Sequence, residues 1–175
     1  MSNGQTVIAI DAMGGEESPY KVLKGTEIFL KKEKTTNIVF FGDEELINKA
    51  IKKHNINIFN FKVVNTHDTI LDEDSVNTIL RSKKNSSIYK GLEFSKNNPN
   101  SGFVSAGSTA AIMILSRLHM GMIEGIDRPA ICSLVPNQKS YSIMLDLGAN
   151  VLVNGSNLLQ FALMGFCYYS IINKN

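Results

Sequence analysis

The sequence predicts an α/β fold with a mostly parallel sheet, and three observations predict it. Apolar runs of strand length at residues 6–10 (TVIAI), 37–41 (NIVFF) and 58–64 suit strands buried on both faces. Segments between them repeat apolar residues at helical spacing, giving the order β-α-β-α-β. The runs also stop at small polar residues, as strands do when they turn into helices.

The elements follow in order. The first strand ends at Asp11-Ala-Met-Gly14-Gly15. Pro19, well tolerated in a first helical turn, opens a helix carrying Val22, Leu23, Thr26, Ile28, Phe29 and Leu30 on or near one face. The second strand ends at Gly42-Asp43, and Asp43 can cap a helix over 44–54 through Leu46, Ile47, Ala50 and Ile51. After the third strand the chain turns polar, with helical patterns at 74–80 and 88–96. Residues 102–105 (GFVS) read as a short strand, and 108–120 as a helix apolar almost all round, hence buried. Two further strands are expected at 131–135 and 142–145, then a helix over about 157–171 with Ser156 as N-cap.

Composition bounds the function. The chain has 175 residues, 43% hydrophobic and 19% charged, at a net charge of +2. That suits one soluble domain spanning 1–175 and argues against a dedicated nucleic-acid binder. Two distant cysteines, Cys132 and Cys167, suggest neither a disulfide framework nor a zinc site. Lys outnumbers Arg 15 to 3 beside 18 Asn and 19 Ile, a bias of AT-rich coding that weakens any lysine run as evidence. Residues 1–5 carry no secretory pattern. The apolar stretch 158–172 is broken by Gln160 and shorter than the roughly 20 residues of a membrane span, so a cytoplasmic, soluble protein is expected.

The strand ends are where chemistry is expected. In an open parallel sheet they share one edge, and ligands bind there. Ser105-Ala-Gly107-Ser108-Thr109 places hydroxyls and free N–H groups at a helix start, which suits an anion such as phosphate, though the same residues would serve as a plain N-cap. Arg81-Ser-Lys83-Lys84-Asn-Ser86-Ser87 combines cations and hydroxyls before a helix; it fits a phosphate or a solvated, capped turn. Arg128 stands in a loop where an ion pair with Asp127 is the plain alternative. The last strand ends at Asp146-Leu-Gly-Ala-Asn150. No GxGxxG, GxxxxGK[ST] or GxSxG motif occurs, so a nicotinamide, P-loop or serine-hydrolase reading lacks its fingerprint.

Six segments in order carry a resemblance: Ile8-Ala-Ile-Asp11-Ala-Met-Gly-Gly15, Arg81 to Ser87, Ser105 to Thr109, Gly125-Ile-Asp-Arg-Pro-Ala130, Leu145 to Asn150, and Leu158-Leu-Gln-Phe-Ala-Leu-Met-Gly165. Together they resemble the phosphate acyltransferases of bacterial phospholipid synthesis, the PlsX family, from about Val7 to about Tyr169. The resemblance implies transfer of a fatty acyl group from acyl carrier protein to inorganic phosphate, giving acyl phosphate. It implies a Rossmann-like three-layer α/β/α sandwich similar to isocitrate and isopropylmalate dehydrogenases. It also implies a homodimer without an organic cofactor, cytosolic or loosely associated with the membrane; with only three His and no CxxC spacing, no metal site is expected either.

The sequence departs from the family at Glu16, at Ser108 and Ala110, at Asp74-Ser75 and over 151–155. Family members are about twice as long, so the chain reads as a truncated, N-terminal half. Direct attack of phosphate on the thioester is expected, with Lys83, Lys84, Ser86, Gly107, Ser108 and Thr109 contacting phosphate and oxyanion. Asp11, Gly14 and Gly15 would wall the cleft, and Arg81 and Ser105 would bind substrate. Asp146 and Asn150 would orient donors, and Lys83 and Arg128 would meet acidic acyl carrier protein. The alternative is a non-catalytic remnant that binds phosphate or a partner without turnover.

Overall fold

Strand side chains alternate with a period of two, so the first apolar run has two faces to bury. In the computed structural model, which describes residues 6–173, β1 (Val7–Asp11) is central to a four-stranded sheet and both of its faces are covered. β2 (Asn37–Gly42), β3 (Phe61–Asn65) and β4 (Ser101–Val104) complete the sheet in the order β3-β2-β1-β4. Every pairing is parallel, with Ala9 beside Val39 on one side and Phe103 on the other.

On one face Ile8, Ile10, Ile38 and Phe40 pack with Leu23 and Leu30 of α1 (Tyr20–Lys32) and Ile47 of α2 (Glu44–Lys53). On the other, Ala9, Val39 and Phe41 meet Phe94 of α4 (Ser87–Asn97). Behind α4, Ile79 of α3 (Val76–Ser82) and Ala111 and Leu115 of α5 (Thr109–Met120) close a second cluster. These are the three layers of an α/β/α sandwich. Each buried leucine, isoleucine or phenylalanine contributes roughly 1.5–3 kcal/mol.

Asp43 caps α2 as expected, its carboxylate accepting from the N–H of Leu46 at 2.9 Å. Ser75 and Ser86 cap α3 and α4 in the same way. α5 departs from the expectation of a helix buried all round: only Ala111, Leu115 and His119 are buried, one stripe at helical spacing, while Leu118 and Met120 stand in solvent.

The chain divides into two compact units, one ending at Met120 and one starting at Gly121. The second unit holds an antiparallel hairpin, β5 (Ser133–Pro136) and β6 (Tyr141–Met144), and α6 (Gly155–Ile172). The two late strands thus pair with each other rather than extending the parallel sheet. Asn154, not Ser156, caps α6: its side chain accepts from the N–H of Asn157 at 3.0 Å while Asn157 accepts in return from the N–H of Asn154 at 3.1 Å.

Candidate functional site

A sheet ordered β3-β2-β1-β4 reverses direction between β1 and β4. Chains leaving those two strands diverge to opposite faces and open a crevice at their carboxyl ends. The structure has a cleft of about 630 Å³ there. The loop after β1 (Asp11, Met13, Gly14, Gly15, Glu16) and the loop after β4 (Ala106, Gly107, Ser108, Thr109) form two walls. Residues 69–73, after β3, form a third.

Asp11 holds the first two walls together. It is 1% exposed, and both carboxylate oxygens are engaged. Oδ1 accepts from the N–H groups of Met13 at 2.9 Å and Gly14 at 3.0 Å. Oδ2 accepts from the Ser105 hydroxyl at 2.6 Å, and Ser105 Oγ accepts from the Gly107 N–H at 3.0 Å. The loops therefore pass so close that a Cβ on Gly14 would lie 2.3 Å from Asp11 Oδ2 and 2.6 Å from the Gly107 nitrogen. Only glycine fits at residue 14.

Ser108 and Thr109 line the cleft where α5 begins. Neither hydroxyl has a partner among the described residues, and no described side chain caps the first N–H groups of α5. These unpaired donors carry the positive end of the helix dipole into the cleft.

The basic segment is placed otherwise. Lys83 Nζ donates to the Thr69 carbonyl at 2.7 Å and pairs with Asp74 at 3.6 Å, so its charge ties down the third wall. Asp68 Oδ2 accepts from the N–H of Asn85 at 3.2 Å, a second tie between the same segments. Ser86 is fully buried as the α4 cap. Arg81 and Lys84 are exposed and do not line the cleft, whereas Ser87 does. The cleft-lining side chains with charge are all acidic: Asp11, Glu16, Asp72 and Glu73. No group of three or more His, Cys, Asp or Glu among the described residues is placed to hold a metal ion.

Arg128, Asp146 and Asn150 lie in the second unit, where each is engaged locally. Arg128 Nη1 donates to the Leu152 carbonyl at 2.9 Å, while Asp127 pairs with Gln160 at 2.8 Å. Asp146 gathers the N–H groups of Ile131, Ala149 and Asn150 and the Asn150 side chain, and Asn150 also donates to the Pro129 carbonyl. Burial by itself would raise the Asp146 carboxyl; the Asn150 side chain and the three N–H donors outweigh it and hold the group below the ordinary carboxylate range.

The third wall was not marked in the sequence as part of a site. Asp72 and Glu73 form a turn in which Asp74 accepts from the N–H of Leu71 at 2.8 Å. The signal was β3 itself, whose carboxyl end shares the sheet edge with β1 and β4.

Comparisons with known proteins agree with this architecture. Residues 6–174 match the family described as "Fatty acid synthesis protein". A "Phosphate acyltransferase" of Clostridium tetani is 41% identical over 165 residues, 94% of this chain and 49% of that protein. One from Pelagibacter ubique is 37% identical, covering 90% of this chain and 47% of its own length. The chain thus spans about half the length of the curated relatives it matches. Among solved structures, the EutD phosphotransacetylase from Staphylococcus aureus aligns with a TM-score of 0.64 at 19% identity, over 90% of this chain and 51% of that one, a likeness of fold. No helix among the described residues is long and apolar enough to cross a membrane.

Proposed function

The chain belongs to the fatty acid synthesis protein family, and from that premise we propose that it provides the phosphate-binding part of an acyltransferase making acyl phosphate for phospholipid synthesis. The observation that carries the reading is the Asp11–Ser105 hydrogen bond at 2.6 Å, which fixes two glycine-rich loops around an uncapped helix start. Phosphate would take the free N–H groups of α5 and the Ser108 and Thr109 hydroxyls.

One phosphate oxygen then attacks the thioester carbonyl carbon of an acyl-acyl carrier protein. The C–O bond forms, the C–S bond breaks, and the proton of hydrogen phosphate leaves on the released thiol. Phosphate is itself the nucleophile, so the protein's task is positioning and stabilising the oxyanion, with no organic cofactor. Asp11 and Ser105 act through the loops they hold. Lys83 sets the third wall, and exposed Arg81 and Lys84 are the groups available to an acidic carrier protein. Exposed apolar residues on α6, including Leu159 and Phe166, support a dimer or loose membrane association.

A second reading, phosphate binding without turnover, is favoured by one observation: no cation among the described residues lines the cleft. Hydroxylamine trapping of acyl phosphate, from acyl-acyl carrier protein and phosphate, separates the two. Product from the purified chain supports transfer. Phosphate binding without product, with a full-length relative active alongside, supports the second reading, and neither binding nor product rejects both.

A further inference from the structure

A second hollow lies across the sheet from α4. It is a groove of about 410 Å³ between α1 and the β1–β4 pair, lined by Ile8, Ile10, Val22, Gly25, Phe29 and Val104 among others. Its size falls within the roughly 300–1,000 Å³ of small-molecule sites. Val104 is 54% exposed there, although its neighbour in register, Ile10, is buried. Asp11 and Ala106 line both this groove and the phosphate cleft, so the two meet at one carboxyl edge.

Gly25 is the telling residue. It sits inside a 13-residue helix, where glycine costs about 1 kcal/mol relative to alanine. Nothing lies within 4 Å of where its Cβ would be, so the missing side chain leaves open space rather than relieving a clash. Gly102 of β4, level with Ile8, is equally unobstructed. Glycine at Gly25 costs helix stability and keeps the groove deep.

We propose that this groove holds the fatty acyl chain of the substrate, with the reacting carbonyl at the shared edge beside Asp11 and Ala106. The proposal rests on the acyl-transfer reading above. Its physics is separate: an apolar trough, kept open by glycine, that reaches an anion site. A hydrocarbon running along α1 would bury its methylenes against isoleucine, valine and phenylalanine, while its carboxyl end lay near the α5 N-terminus.

The test uses the purified chain, cis-parinaric acid fluorescence and a parallel phosphate titration. Parinaric acid should bind. Among saturated competitors, affinity should climb about fourfold per added methylene until the groove is full. Gly25→Leu, which raises helix propensity and has open space for its Cβ, should weaken parinaric acid at least tenfold, and Gly25→Ala less, with phosphate binding and thermal midpoint retained. No parinaric acid binding beside intact phosphate binding overturns the groove and leaves the proposed function standing. Unchanged binding in Gly25→Leu also overturns it, as does a Gly25→Leu effect on self-association alone, which would make the occupant a second copy. Groove binding that obeys the variants with no phosphate binding supports the groove and removes the function on which it was built.

Discussion

Asp11 is a buried charge that holds two loops in contact. A carboxylate in that position must have its lone pairs filled, and three donors fill them. Asp11→Ala and Ser105→Ala should each destabilise the chain, and a double-mutant cycle in urea should show them coupled by about 1.5–3 kcal/mol. Additive effects would mean that the bond does not hold the loops. His119 is the other informative residue. It is 8% exposed, edge-on to Tyr89 at 4.5 Å between ring centroids, and its Nε2 has no partner among the described residues. Burial lowers its pKa from the ordinary 6.5, with Lys96 and Lys90 acting the same way and Glu93 opposing. The unfolded ring therefore protonates first. The contribution of a neutral His119 is complete above the ordinary value and is lost as pH falls through the folded one. Unfolding midpoints compared near pH 7.5 and 5.5 should show wild type losing more stability than His119→Phe; equal losses would contradict this.

At the scale of elements, the segment between Arg81 and Ser87 ties the 68–74 loop to the start of α4. If Lys83 is a strap rather than a phosphate ligand, Lys83→Met should speed hydrogen exchange in residues 69–74 and leave α4 protected. A collapse of phosphate affinity with no change in loop exchange would restore Lys83 to the site. Capping gives a second check. Asn154→Ala should cost about 1 kcal/mol, and Ser156→Ala, one residue inside the first turn, only a few tenths. Strands and helices were legible because apolar periodicity is a local property: β1, β2 and α2 lie within a residue or so of where their patterns put them. Caps were less legible, since Asn154 and Ser156 are both good cap residues and only backbone geometry chooses between them. The partners of Lys83 were hidden for another reason: Thr69 is 14 residues away, and nothing in composition separates a cation that binds a ligand from one that ties a loop.

For the molecule as a whole, the order β3-β2-β1-β4 decides where a ligand can go. It brings Asp11 and Ser105, 94 residues apart, within hydrogen-bond distance. That meeting was foreseeable from strand ends in a parallel sheet. The separate pairing of β5 with β6 was not, because a short apolar run does not reveal its neighbour. Asp146 and Asn150 therefore serve a loop of the second unit through contacts that sequence pattern does not encode. The central claim is that phosphate lies in the β1–β4 cleft on the N-terminus of α5. Backbone amide shifts followed during a phosphate titration test it most directly. The largest changes are expected at Gly15, Ser108, Thr109 and Ala110; changes centred on Arg81 to Lys84 or on Asp146 to Asn150, or none at all, would contradict it.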